Sequence, residues 1–396
     1  MEVDRGHPPD LAAVYPDLYA EKPVIELVTM GIGSLIWERH GHIALCVREA
    51  NPRNDRCYNY GIGDFHHPLS MAWGFLRATG AFWVAKMPVA EMLSVYLYAD
   101  RTIWIQPLRL TADQKKQMID KLEHDILIPN RYYAYDHFLD NCTTRVRDVI
   151  DAAIGGKLAA MSGPADDRTF RDFAREGFYG MTVPLLVTDL AMGRTTDRVP
   201  TYNERMFLPQ YLREAVATLM GVQPVAVYTR QGPPPSTDSA SGRGWLALVI
   251  LLLTSPAWLT RRIGRLQRTG LAIAVVPYAL LGTALLLVAI ISPLGYIRWN
   301  ELCLVLLPID VLLVVLPAER RRRYARGRLV MLGAILVLSL VGVLKQPLLT
   351  PLLWPAIPLA VVGLWPDRQA RAKVGRAGQP ANTSMPEARR TGGRRA

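Results

Sequence analysis

The sequence predicts an α+β domain followed by an all-α membrane domain of about five transmembrane helices. Three observations predict it. Residues 24–110 hold short runs rich in β-branched and aromatic residues, bounded by Gly, which read as strands. Residues 245–364 hold long apolar runs near the ~17–25 residues that a spanning helix needs. The charge divides at the same place: residues 1–243 carry 26 Lys+Arg against 29 Asp+Glu, and residues 244–396 carry 20 against 5.

In order, residues 1–23 are an N-terminal segment with no charged n-region before an apolar core, so no export signal is visible and the start site is in question. Residues 24–230 form the soluble domain. PVIELVTMGIG, HIALCVRE and RCYNYGIG read as strands, with AFWVAKMPV and RTIWIQPLRL as further ones. From Thr111, the spacing of Met118, Ile119, Leu122 and Ile126 predicts a helix with a polar outer face. Asp140 and Asn141 are N-cap types ahead of Cys142, and Val146, Val149, Ile150 and Ile154 continue at helical spacing. Residues 160–215 are mixed and largely helical. Residues 231–244 are a Pro/Ser/Gly linker. Cys46 and Cys57 lie on adjacent strands; two core thiols are expected there, with a disulfide permitted in an oxidising compartment.

The apolar runs are Trp245–Leu259, Leu271–Ile291, Leu302–Leu316, Leu329–Leu344 and Leu348–Leu364. The links RRIGRLQRTG and PAERRRRYARGR are Arg-rich, whereas the alternate links hold only Arg298 and Lys345. The basic tail, residues 365–396, reads as disordered. The positive-inside rule places both Arg-rich links and that tail in the cytoplasm. Five spans then put residues 24–230 on the opposite, external face of the membrane. The basic balance is therefore one of membrane topology. A nucleic-acid partner is not expected, since zinc-finger spacing, a P-loop and aromatic–basic interleaving are all missing from the sequence.

The chemistry-bearing residues are His42 in GHIALCV and Cys142 in DHFLDNCTTRVRD. A Cys in the first turn of a helix sits at the positive end of the macrodipole, which favours thiolate, and a nearby His shuttles the proton. For a lone Cys and a lone His, a buried thiol and a core His is the commoner outcome. His40 is the rival base, two residues away and on the same strand face if the strand extends that far. Tyr58, Asn59 or Tyr60 are placed to face and orient His42, with Tyr60 ranked first. Asn141 is an N-cap before it is a participant, and Arg145 suits either an anionic headgroup or a structural pairing. No metal or other cofactor is expected; His66 and His67 are the best metal pair, and adjacent residues rarely chelate one ion together.

The ordered runs GHIALCV, CYNYGIGDF, RYYAYDHFLDNCTTRVRD and DRVPTYNERMFLPQYL, spread over roughly residues 24–220, resemble the Lnb N-terminal periplasmic domain family. The resemblance implies a papain-like fold of the permuted NlpC kind, in which His precedes Cys, as His42 precedes Cys142. It also implies a membrane-anchored acyltransferase. Cys142 would be the nucleophile and His42 the base, with a phospholipid as acyl donor and the N-terminal amine of a lipoprotein as acceptor. Arg145 and Asn141 are the candidate substrate contacts. Two other readings remain: an NlpC-like cysteine hydrolase acting on cell-envelope amides, and a non-enzymatic envelope binding protein.

Overall fold

The computed structural model describes residues 9–64, 66–79, 82–239 and 242–365. The basic tail beyond Trp365 lies outside the described residues. The N-terminal half is built on a seven-stranded sheet: β1 (Val24–Met30), β2 (His42–Arg48), β3 (Arg56–Gly63), β4 (Phe82–Pro88), β5 (Ile103–Pro107), β6 (Tyr132–Tyr133) and β7 (Val225–Tyr228). Their order is β6-β4-β3-β2-β1-β5-β7, and every pairing is antiparallel. The five runs read as strands form β1 to β5. The two edge strands, β6 and β7, are too short to carry a pattern of their own.

Helices of eight residues or more are α1 (Pro68–Leu76), α2 (Val89–Tyr98), α3 (Ala112–Asp125), α4 (Cys142–Ala153), α5 (Phe170–Gly177), α6 (Thr182–Ala191), α7 (Pro209–Met220), α8 (Arg243–Ile263), α9 (Gln267–Ile291), α10 (Ala318–Leu340) and α11 (Leu349–Gly363). Thr111 caps α3 through a reciprocal pair with Gln114, which fixes its start where the sequence placed it. The central strands are buried on both faces, which explains their near-continuous apolar character. Ile25, Leu27, Ile43, Leu45 and Tyr60 pack against Met118, Leu122, Val146, Ile150 and Leu212 of α3, α4 and α7. On the other face, Val28, Met30, Ala44 and Ile105 meet Val89 and Met92 of α2.

Cys46 and Cys57 are direct cross-strand partners and form a disulfide, which corrects the expectation of two core thiols. Cys142 and Cys303 are free. The pairing suits an oxidising compartment.

In the second half, two helices among the described residues are long and apolar enough to cross a membrane, Gly244–Ile263 and Gln267–Ile291. Much of their apolar surface is exposed, as at Leu252, Leu280 and Ile290. The other three runs take different forms. Leu302–Leu316 is broken into short turns at Pro308, and the buried Asp310 there binds Arg328 at 2.8 Å and the Tyr324 hydroxyl at 2.6 Å. The fourth run begins inside α10, which is already helical through the Arg-rich link. The fifth is the 15-residue α11, with Pro355 and Pro358 inside it. A hydrophobic cluster of Phe138, Phe170, Phe207, Leu294 and Tyr296 joins the two halves.

Candidate functional site

Cys142 is the first residue of α4, and Asn141 holds that helix end. The Asn141 side-chain oxygen accepts from the N–H groups of Thr143 (2.8 Å) and Thr144 (2.9 Å). Its amide nitrogen donates to the carbonyls of His137 (2.7 Å) and Phe207 (2.9 Å). Asn141 is thus committed to the backbone at both ends, which leaves it no free group for substrate. Ahead of it, Asp136 accepts from the N–H groups of Phe138 and Leu139, both at 2.9 Å, turning the chain into the helix. The N–H groups of Cys142 and Thr143, at the start of the helix, both act on the Cys142 sulfur and favour its thiolate.

Gly61 makes the space for Cys142. It has φ +80°, and a Cβ at that position would lie 3.2 Å from Cys142 Cβ and 3.5 Å from the Tyr133 hydroxyl. Tyr133 and Tyr135, from the aromatic run before the Cys, flank the same spot. Two residues back along β3, the Asn59 side-chain oxygen lies 3.3 Å from His42 Nε2. With that oxygen accepting, Nε2 carries the proton and Nδ1 keeps the lone pair of a base. The His42 ring stacks on Tyr96, with centroids 5.8 Å apart.

Asn59, not Tyr60, therefore meets His42. Strand alternation turns Tyr60 to the opposite face, where its hydroxyl donates to Asp125 at 2.7 Å. His40 is also separate. Gly41, at φ +77°, interrupts the chain before β2, and His40 lies against α5 with Nε2 2.9 Å from the Ala174 carbonyl. Its ring meets His137 at 4.6 Å and Phe178 at 5.1 Å. Arg145 is held by both oxygens of Asp140, at 2.6 and 2.8 Å, and lies over the Tyr133 ring at 3.9 Å. That bidentate pair answers its charge within the fold. His67 pairs with Asp64 at 2.7 Å on the surface, away from these groups.

Sequence reasoning missed Arg101. It is buried just before β5, with Nε donating to the Gly31 carbonyl at 2.8 Å and its guanidinium 5.0 Å above Tyr96. One of its terminal nitrogens is buried without a partner. Its charge acts on both candidate groups, favouring the Cys142 thiolate and disfavouring the His42 imidazolium. Nothing in RTIWIQP distinguishes this Arg from a strand-flanking surface Arg.

The electrostatics differ from the thiolate–imidazolium pair expected at a helix start. Burial pushes the Cys142 thiol up, against hydrogen bonds from Thr143 and the charge of Arg101. Burial also brings His42 down to about 4, helped by Arg101 and opposed by Asn59. Desolvation disfavours both charged forms, so it outweighs the helix end. At rest the two are a neutral thiol and a neutral imidazole. No hydrogen bond joins them among the described residues: Cys142 Sγ lies 3.8 Å from Thr143 Oγ1, and His42 is held by Asn59.

Residues 14–173, which carry Cys142 and His42, match the model of the Lnb N-terminal periplasmic domain family. No curated protein and no solved structure matches the chain. With the two apolar helices among the described residues, the match points to a membrane protein whose N-terminal domain is periplasmic.

Proposed function

We propose that this protein is a membrane-anchored cysteine acyltransferase, moving an acyl chain from a phospholipid through a Cys142 thioester to the N-terminal amine of a lipoprotein. The observation that carries the reading is the arrangement about Gly61. It sets a helix-start thiol against β3, two residues along that strand from the Asn59 whose oxygen holds His42 of β2. The fold this implies is papain-like and permuted. The proposed topology keeps five crossings of the inner membrane, with the C-terminus in the cytoplasm.

The reaction proceeds from the neutral pair. The thiol turns from Thr143 toward His42 Nδ1 and gives up its proton as Sγ attacks the acyl carbonyl. The Cys142 N–H donates to the oxyanion. Collapse expels the lysolipid alkoxide, which takes the proton from the imidazolium and leaves a thioester. The acceptor amine then attacks the thioester and loses its proton to His42, and Cys142 departs as thiolate and is reprotonated. Asn59 keeps the same imidazole nitrogen facing the thiol in both halves.

Mass spectrometry of lipoprotein N-termini tests this in a host lacking other N-acyltransferases. Expression of the chain should add the N-acyl group, and Cys142→Ala should abolish it. Unchanged N-termini with the wild-type chain would overturn the proposal. Altered envelope peptides with unchanged lipoproteins would favour the hydrolase instead.

A further inference from the structure

A second site lies at the same end of the sheet. A cavity of about 690 Å³ is bounded by the ends of β1 and β5, by α5 and α7, and by the Pro-rich segment 232–237 that leads toward α8. Its volume falls within the ~300–1,000 Å³ of small-molecule sites. Three arginines line it: Arg39, Arg213 and Arg230. Arg39 donates to the carbonyls of Gly177 (2.7 Å), Tyr179 (3.0 Å) and Gly33 (3.3 Å). The Arg213 guanidinium lies over the Trp104 ring, its central carbon 4.1 Å from the centroid. Arg230 reaches the Ile32 carbonyl at 3.5 Å, and its Nε is buried with no acceptor.

None of the three forms an ion pair among the described residues. The nearby carboxylates are otherwise engaged. Glu176, in the wall, binds Arg168 at 3.2 Å. Asp100, which feels the charge of Arg230, accepts from the Tyr228 hydroxyl (2.6 Å) and from the N–H groups of Gln231 and Gly232 (both 2.8 Å). Compensation is at longer range only: Arg230 acts on Asp100 and Glu214 on Arg213, with no ion pair to any of the three arginines among the described residues. Burial and the neighbouring Arg230 both depress the pKa of Arg39, and burial depresses that of Arg213. The hydroxyl of Thr29, buried in the wall, also has no partner. Between these polar groups the lining is apolar, from Trp104, Phe173, Leu208 and Pro234.

We infer that this cavity binds a phosphate-bearing amphiphile, its phosphate among Arg39, Arg213 and Arg230 and its apolar part along Trp104 and Phe173. Arginine forks suit phosphate oxygens, and a fixed anion relieves the repulsion between the cations. His40, rather than His42, lines this site. Gly31, whose carbonyl holds Arg101, lines it too, so the cavity adjoins the Cys142 region without including it. The inference does not depend on the acyl-transfer reading.

Calorimetric titration of the full-length protein in a phosphate-free maltoside detergent tests it. The probes are water-soluble dihexanoyl-phosphatidylglycerol, inorganic phosphate and dihexanoylglycerol. The phospholipid should bind, and Arg213→Gln and Arg230→Gln should each weaken it about tenfold or more. Arg230→Lys should retain part of the affinity. Weak binding of inorganic phosphate assigns the site to a lipid headgroup; equal binding assigns it to free phosphate, and the anion site stands. Dihexanoylglycerol binding as tightly as the phospholipid would overturn the inference, as would affinities indifferent to both Gln substitutions. If Arg213→Gln melts early, the Arg230→Gln and Arg230→Lys pair carries the comparison.

Discussion

Replacing Asn59 by Ala removes the acceptor that orients His42 and little else, because the Asn59 amide nitrogen is already without a partner. The bond is 3.3 Å long, at the far edge of the usual N–H···O range. Its net worth therefore lies low in the ordinary span, at about 0.5–1 kcal/mol, or roughly two- to fivefold in a rate that uses the oriented imidazole. The rate can be read without substrate, as alkylation of Cys142 by iodoacetamide followed at peptide level, which separates it from Cys303. His42→Ala sets the full imidazole contribution, and Asn59→Ala should fall between it and wild type. Tyr60→Phe should cost stability, through the lost bond to Asp125, and leave the alkylation rate unchanged. The reverse pattern, with Tyr60→Phe slowing Cys142 and Asn59→Ala silent, would refute the assignment of Asn59.

Gly61→Ala places a side chain at φ +80°, costing about 1–2 kcal/mol, and drives a Cβ to 3.2 Å from that of Cys142. Both the melting temperature and the Cys142 alkylation rate should drop; an unchanged rate would show that Gly61 does not seat the thiol. Arg101→Gln should raise the pKa of both groups, since the positive charge lowers His42 by repulsion and Cys142 by attraction. Histidine ring NMR and the pH profile of alkylation report the two, and shifts of opposite sign would exclude a shared cation. His40 and His42 both sit at about 4 in the folded chain, and His137 lies well below its usual value, all chiefly through burial. Unfolding restores values near 6.5. Stability is then full above about pH 6.5 and is lost as pH falls toward about 4, by at most about 3 kcal/mol for each of His40 and His42, less what their residual solvent contact returns. Replacing His40 and His137 together by Gln should make the melting temperature fall less steeply across that interval, the remaining slope belonging to His42.

The legible parts of the fold were those in which local pattern and burial agree. β1 to β5 announced themselves by β-branched and aromatic runs, α3 by helical spacing from Thr111, and α4 by the N-cap types Asp140 and Asn141 followed by helical spacing. What escaped depends on three-dimensional neighbours. That Cys46 and Cys57 are bonded follows from the β2–β3 register, which spacing alone leaves open. That Asn59 rather than Tyr60 faces His42 follows from the same register, since one residue reverses the face. Arg145 was legible as a cation but not as one already matched by Asp140 five residues earlier in the chain. Arg101 carried no signal, because its importance comes from burial beside Tyr96. In the membrane half, apolar content was legible and continuity was not: Pro308 and the buried Asp310 break a run that hydropathy reads as one segment.

Desolvation explains the departure from the expected ion pair and bears on the proposed transfer chemistry. A thiolate poised in water reacts with whatever arrives, and a thioester in water hydrolyses before a second substrate binds. Here the same burial that raises the thiol and lowers the imidazole also keeps bulk water from the position the thioester would occupy. The cost is that neither group is charged in advance, so proton transfer must accompany attack. Arg101 offsets part of that cost on the sulfur side, and Asn59 offsets part on the imidazole side by holding Nε2–H. A site tuned for a resting thiolate would need Cys142 more exposed or a carboxylate in place of Asn59. The neutral amide at that position leaves the imidazole free to accept one proton and return it, the sequence of events that two successive acyl transfers through one sulfur require.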